Sequence, residues 1–553
     1  MKILVNSSLN ESLTADQIFD TILSQRGYPS GNSRDEFLNP AMPTLGSLIE
    51  KSHLAEGKLE SIKGILDDHL SRGSDICVFG DYDADGITAT SILWLSLIKY
   101  CGGGKSRILP FLPDRVKHGY GLSTAAIIDM FEGEGFKTTA YSDFSPKLII
   151  TVDNGIVAND AGDELFSRGV DLIITDHHSP GTVLPKAKEI LHTTETSGAG
   201  IAWILSLFLL RENDFSYGLI DLATIGVVAD MMPLYGLNRS IVVHGLESMR
   251  RTKRTGLEAL YQAAKIDPGT VSTYTIGFGI APRINAAGRL YDPYDALRLL
   301  CSSNRETANA LALKINSHNQ DRQELTELAL SNLGTTGFSH KIAVVVGDYH
   351  EGIVGLIAGK ITELTHKPAI VMSDHRDFLK ASARSVTGVN ITELLRSLRV
   401  PFLSLGGHSQ AAGFSIKKSH QDEFLSELYE LADSTILDEF LEPVTSVDME
   451  LSSAQITLKL AKAIKVLEPF GMGNPKPKFL IKDLPVLEDK KMGAKGNHRK
   501  LTIESGNGSF PILLFNTKES YPLKHLKSVV GNVDINVWNN RESVQFVGNY
   551  VES

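Results

Sequence analysis

The chain has 553 residues, 42% hydrophobic and 22% charged. That is ample material for several packed cores, and it excludes the disordered and fibrous classes. The formal net charge of −10, from 55 Lys+Arg against 65 Asp+Glu, argues on average against a nucleic-acid partner. However, Gln421 to Glu450 holds ten acidic residues and no basic one, so the rest of the chain is neutral and free to form basic grooves.

Cys77, Cys101 and Cys301 are isolated and spell neither a disulfide framework nor a zinc knuckle. The opening residues have too short an apolar run for a signal peptide. The longest apolar stretch, Ala199 to Leu210, is too short to span a bilayer and reads as a buried helix. A cytoplasmic protein without membrane association is expected.

In chain order, three short β-rich runs end on acidic residues. Residues 75–80 lead into Asp81, 147–152 into Asp153, and 170–175 into Asp176. Helical patterns lie between them, at Ile87–Tyr100, Leu122–Phe131 and Asn159–Arg168. Continuous apolar strands alternating with helices predict a parallel sheet covered on both faces. Ligands of such sheets sit at the carboxyl ends of the strands, which is where the acidic groups fall. A long helical pattern over 306–333 leads to a second α/β stretch, with strands at 341–347 and 367–373 and a helix at 351–364. Beyond Glu442 short alternating runs predict a small all-β unit, a sandwich or a five-stranded barrel.

The acidic groups form a constellation. Asp81, Asp83 and Asp85 alternate in GDYDADG, and three carboxylates so close call for a multivalent cation. A calcium loop is rejected: its twelfth position is Ile92 rather than Glu, and a strand precedes it instead of a helix. TVDNGI adds Asp153, and TDHHSPG adds Asp176, His177 and His178. Asp230 follows another apolar run, read as a fourth strand end, and in so apolar a setting it must be paired or bind metal. Oxygen-rich ligands with imidazole suit manganese or magnesium. Two ions about 3.5–4 Å apart would use all the carboxylates, an arrangement that serves phosphoester hydrolysis.

These segments together resemble the DHH phosphoesterase superfamily, and in order and spacing the RecJ family of single-stranded-DNA exonucleases. LPDRVKHGYG (112–121), SGAGIA (197–202), IAPRINAAGRL (280–290), YHEGIVGLIAGKI (349–361), SARS (382–385), GGHSQAAGF (406–414) and EPFGMGNPKPKF (468–479) extend the likeness over roughly residues 37 to 550. Tyr349 stands where the family often has Trp. The resemblance implies an α/β fold. A parallel-sheet DHH domain with its N-terminal lead (1–305) is joined by a helix (306–333) to a smaller α/β DHHA1 domain (334–440), then an all-β OB-fold (441–553).

The same resemblance implies site residues. Asp81, Asp83, Asp85, Asp153, His177 and Asp230 would hold two divalent ions, Mn²⁺ preferred and Mg²⁺ as the alternative, with Asp153 as the bridge. His178 would contact the scissile phosphate and Asp176 would orient its neighbours. Arg115, Arg283, Ser382, Arg384, Gly406, Gly407 and His408 would grip phosphates, arginine through bidentate geometry and the glycines through close backbone approach. The implied activity is 5′-to-3′ degradation of single-stranded DNA to 5′-mononucleotides in recombination and repair. The implied chain is a monomer, with a single-strand-binding protein and a helicase as partners. The OB-like part is expected to hold the strand, and Lys476 to Lys500 carries eight basic against three acidic residues. No further C-terminal domain is expected.

Two alternatives stay open. One is another DHH phosphodiesterase, of the nanoRNase or cyclic-dinucleotide type, against which the OB-like tail speaks. The other is a non-catalytic replication scaffold, against which the intact acidic set speaks. CGGGKS (101–106) is not a phosphate loop, because position 99 is Lys99 rather than glycine. The basic cluster RRTKR (250–254) is as consistent with a solvated helix end as with a DNA contact.

Overall fold

A computed structural model describes all residues except 1, 133–134, 137–140, 142, 334–337, 494–495, 507, 518–522 and 553. It divides into two compact units, residues 42–441 and a second unit made of 1–41 with 442–553. This corrects the sequence reading of the N-terminal lead as part of the DHH domain. The chain opens with β1 (Lys2–Val5) and α1 (Ala15–Gln25), and both belong to the C-terminal unit.

Within 42–441, five strands form a wholly parallel sheet: β2 (Ile76–Phe79), β3 (Ile108–Phe111), β4 (Leu148–Val152), β5 (Asp171–Asp176) and β6 (Glu189–His192). Their order is β3-β2-β4-β5-β6. The expected continuous apolar strands have a direct cause. Ile76, Val78, Leu148, Ile150 and Val152 point into one core, while Cys77, Phe79 and Ile149 point into a second core on the opposite face. The larger core is closed by helices α2 (Ala84–Cys101), α3 (Gly198–Leu209) and α4 (Ile220–Ala229). Residues 198–209 form the buried helix expected from their apolar run.

A π-helical turn (Ile276–Ile280) runs directly into α5 (Ala281–Leu290), which packs on α6 (Arg305–Asn332), the long helix read from the sequence. Next comes a mixed sheet of β7 (Ala343–Gly347), β8 (Ala369–Asp374), β9 (Phe378–Arg384), β10 (Phe402–His408) and β11 (Ala411–Lys417), in the order β10-β11-β9-β8-β7. One face carries α7 (Glu351–Thr365) and the other α8 (Gln421–Thr435). The sequence boundary at 334 lies outside the described residues.

In the other unit, β12 (Val444–Val447) pairs in parallel with β1. A short strand β13 (Met449–Glu450) and helix α9 (Leu458–Lys465) precede β14 (Phe479–Met492), β15 (His498–Ser505), β16 (Gly508–Leu514), β17 (His525–Trp538) and β18 (Arg541–Glu552). Pairing of β14 with β17 closes the five long strands into a barrel, one of the two forms expected. Ile18, Ile22 and Leu23 of α1 are buried in the same core as Leu460, Phe479 and Val529, which is why the first 41 residues belong here.

Candidate metal centre

Four segments converge at the carboxyl ends of β2, β4 and β5. Asp81 follows β2 and is fully buried. Asp83 N-caps α2, its Oδ1 accepting from the Gly86 amide at 3.0 Å. Asp85 lies in the first turn of that helix. It accepts at Oδ1 from Ser197 Oγ (2.9 Å) and the Ala199 amide (3.0 Å), and at Oδ2 from the Gly198 amide (2.8 Å). The N-terminus of α3, rich in free amides, therefore holds this carboxylate.

Asp153 follows β4 with φ 64°, a left-handed conformation that costs a non-glycine residue energy and often marks a functional position. The close approach of α3 requires glycine at 198: a Cβ there would lie 2.3 Å from the Asp153 Cβ.

His177 is the hub. Its Nε2 lies 3.0 Å from Asp153 Oδ1, 3.6 Å from Asp230 Oδ2 and 3.9 Å from Asp85 Oδ2. Two sets of ligand atoms fall within 4.8 Å of one another: Asp153, His177 and His178, and Asp85, His177 and Asp230. Asp230 is not at a strand end, as the sequence suggested, but is the residue that caps the C-terminus of α4. Its apolar run is helical because the helix is buried nearly all round, which hides the 3.6-residue period.

Asp176 orients its neighbours. It accepts at Oδ1 from the amides of His177 (2.7 Å) and His178 (3.1 Å) and lies 2.8 Å from His178 Nδ1, while its Oδ2 accepts from the Ile156 amide (2.8 Å). The far nitrogen of His178 is 2.9 Å from Tyr120 Oη.

The electrostatics are those of a site built for cations. Burial, then the Asp83 charge, pushes the Asp81 carboxyl up to about 8; burial, then Asp85, does the same to Asp230. Burial raises Asp85 and, with the Asp85 charge, raises Asp153. Burial lowers His177 against the pull of Asp85. Burial opposes the charge on both His178 and Asp176, but their mutual bond outweighs it, lifting His178 to about 8 and lowering Asp176.

Both Asp81 carboxylate oxygens, Asp153 Oδ1 and His177 Nε2 are buried without a hydrogen-bond partner. His177 Nε2 and Asp153 Oδ1 are 3.0 Å apart without a hydrogen bond between them. Uncompensated buried carboxylates are costly, and a divalent cation is the compensation this donor set fits.

Beside the carboxylates lies a cationic cluster. The Arg115 guanidinium stacks over the Tyr82 ring at 4.2 Å, and its charge counters that of Asp81. Arg384 donates to Ser382 Oγ at 3.0 Å. Burial, then Arg115, lowers Arg384. The sequence reading passed over Arg289. Burial, then the nearby charges of Arg115, Arg322 and Arg384, lowers it to about 10, with Asp83 opposing. Arg283, which the sequence favoured, is held instead by Gly279 O (2.6 Å) and Asn316 Oδ1 (3.0 Å), next to Arg322. Both arginines stand in one motif, and helix phase alone separates them.

Gly406, Gly407 and His408 end β10 at a hairpin and are exposed. Glycine is required at 407, at φ 144°, because β11 pairs so closely that a Cβ would meet Ala411 O at 2.4 Å. Gly406 has open space around it.

Residues 75–236 match the profile of the DHH family N-terminal domain, 339–434 the DHHA1 domain and 447–549 the RecJ OB domain. The chain is 35% identical to the single-stranded-DNA-specific exonuclease RecJ of Bacillus subtilis, over 98% of this chain and 68% of that one. With the Escherichia coli protein of the same name the identity is 30%, over 88% and 89%. The crystal structure of RecJ from Thermus thermophilus in complex with Mn²⁺ superposes with a TM-score of 0.81 at 26% identity, covering 100% of this chain and 80% of that one, and the Mg²⁺ complex with 0.76. Shared sequence over nearly the whole length, with the DHH, DHHA1 and RecJ OB domains all matched in this chain, establishes that the chain belongs to the RecJ family.

Proposed function

We propose that this protein is a metal-dependent exonuclease that degrades single-stranded DNA from its 5′ end to 5′-mononucleotides, in recombination and repair. The observation that carries the reading is the juxtaposition of the buried, unpartnered Asp81, Asp153 and His177 donors with the arginines at 115, 289 and 384. Cation ligands and phosphate ligands share one site, as phosphodiester hydrolysis requires.

Asp81, Asp83, Asp85, Asp153, His177 and Asp230 would hold two divalent ions, manganese or magnesium, which would supply Lewis acidity toward the phosphoryl group. The chain's own groups do the rest. Asp176 fixes the ring of His178, so that its far nitrogen, shared with Tyr120, faces the scissile phosphate. Arg115, Arg289, Arg384 and Ser382 bind phosphate oxygens and hold the strand end in register. Water adds to phosphorus, the P–O3′ bond breaks, and the O3′ of the released nucleotide takes up a proton. The phosphate stays on the shortened strand as its new 5′ end.

The barrel unit would bind single strands as well. No helix among the described residues is long and apolar enough to cross a membrane. On this reading the protein acts in the cytoplasm as a monomer, alongside a single-strand-binding protein and a helicase. The test is incubation with Mn²⁺ and single strands of DNA or RNA labelled at either end, with and without a 5′-phosphate. Stepwise release of 5′-mononucleotides from 5′-labelled DNA is expected. Release from the 3′ end, or equal digestion of RNA, overturns the reading.

A further inference from the structure

Tyr274 and Phe278 are large aromatic residues left almost bare to solvent, 70% and 71% exposed. Their rings stack on each other, centroids 4.6 Å apart and planes 26° from parallel. They sit on a short helical turn (Thr273–Thr275) and on the π-helical turn that runs into α5. A π-turn is a rare distortion that is frequent at functional sites. Here it sets two rings side by side on the surface.

The element that continues from the rings leads to the metal centre. Gly279, next to Phe278, accepts a hydrogen bond from Arg283, which stands beside Arg322. Two residues further, Asn285 accepts from the Ala84 amide at 2.8 Å and so clamps the GDYDADG loop. Gly288 packs on the Tyr82 carbonyl so closely that a Cβ would lie 2.1 Å from its oxygen. Arg289 then joins the arginine cluster beside Asp83. One continuous element therefore carries, in order, an aromatic step, Arg283 with Arg322 of α6 beside it, a clamp on the carboxylate loop and a phosphate-binding arginine.

That alternation of rings and guanidiniums suits single-stranded nucleic acid, whose bases stack on any aromatic face while its backbone seeks cations. A lone pair of rings is far smaller than the roughly 800 Å² per partner of a stable protein interface. Phe278 and Arg289 are eleven positions apart, about 16 Å at about 1.5 Å per residue. A stacked strand rising about 3.4 Å per nucleotide covers that in roughly five nucleotides, and an extended strand in fewer.

We propose that the Tyr274–Phe278 pair is a base-stacking platform that holds the strand about three to five nucleotides 3′ of the scissile phosphate, and that it sets the shortest strand digested efficiently. This rests on the exonuclease reading above.

The test compares the full-length protein with its Tyr274→Ala/Phe278→Ala double variant, on a 5′-phosphorylated trinucleotide and on a 20-mer of single-stranded DNA, with Mn²⁺. Loss of stacking costs roughly 5- to 150-fold per ring. The double variant is therefore expected to lose kcat/KM on the 20-mer at least tenfold more than on the trinucleotide. The Tyr274→Phe/Phe278→Tyr exchange, which keeps both rings, is expected to restore the 20-mer rate. In parallel, 2-aminopurine is placed at successive positions of a strand bound in EDTA. Its quenching should peak three to five nucleotides from the 5′ end and flatten in the alanine variant. Equal losses on both substrates, or an unchanged quenching profile, overturn the platform. Failure of the wild-type protein to cleave either substrate, with the quenching peak intact, overturns the exonuclease reading and leaves the platform standing.

Discussion

Asp153 concentrates the chemistry of the site in one residue. It is held at positive φ, it lies 3.0 Å from His177, and Oδ1 has no hydrogen-bond donor. Asparagine tolerates the same backbone conformation, so Asp153→Asn separates charge from fold. Loss of several kcal/mol of charge stabilisation corresponds to a fall in kcat of about 100-fold or more, with an unchanged circular dichroism spectrum. Activity within tenfold of wild type would remove Asp153 from the metal-binding set.

The same residues set a pH dependence. In metal-free protein, burial and like charge raise Asp81 and Asp230 to about 8, and raise Asp85 and Asp153 as well. Each carboxyl then binds its proton more tightly folded than unfolded, where its pKa is about 3.9. Its contribution to stability is full below about pH 4 and is lost as the pH rises toward 8. The Tm of EDTA-treated protein is expected to fall between pH 5 and 8, and saturating Mn²⁺ should remove most of that slope by binding only the folded state. A flat profile in EDTA, measured by differential scanning calorimetry, would contradict the buried-carboxylate picture.

Among the elements, α3 has the largest part in shaping the site. Its first amides bind Asp85 and its first residue, Gly198, lies against Asp153. Gly198→Ala places a methyl 2.3 Å from the Asp153 Cβ. Overpacking of that kind costs typically about 1–3 kcal/mol, and here it displaces the Asp153 side chain as well. Lower stability together with weaker Mn²⁺ affinity by calorimetric titration is expected. Gly57→Ala, on a helix with open space around it, serves as the neutral control. Intact Mn²⁺ affinity in Gly198→Ala would show that α3 and Asp153 can part without consequence.

The helix α5 shows where sequence reasoning ran short at this level. Arg283 and Arg289 lie on one helix, six positions apart, and so point in different directions. Only the packing of α5 against α2 and α6 decides that Arg289, not Arg283, meets Arg115 and Arg384.

Across the whole chain, the two ends build one unit. β1 pairs with β12, and Ile18, Ile22 and Leu23 of α1 fill the core of the barrel. Removing residues 442–553 alone therefore strips α1 of its partner surface and exposes side chains each worth about 1.5–3 kcal/mol when buried. A fragment 1–441 is expected to aggregate, while 42–441 is expected to stay monodisperse and to bind Mn²⁺. Equal behaviour of the two in light scattering would show that residues 1–41 do not depend on the barrel.

The acidic balance, which on average argues against nucleic acid, is also accounted for at this scale. Much of it lies at 421–450, while clustered arginines face the carboxylate site.

Much of this was legible from local order. Strands buried on both faces must be apolar throughout, so β2, β4 and β5 and the aspartates at their ends could be read directly. The predominance of Asp carboxylates itself names a hard, oxygen-seeking cation. Three things were decided only in the tertiary structure. Asp230 arrives from the end of a helix, because a helix buried all round shows no period to distinguish it from a strand. Arg289 rather than Arg283 stands beside Arg115 and Arg384, because the direction a helical side chain takes depends on what the helix packs against. Residues 1–41 join the barrel more than four hundred positions away, because burial of α1 is satisfied by whichever core lies nearest in space, and distance along the chain carries no record of that.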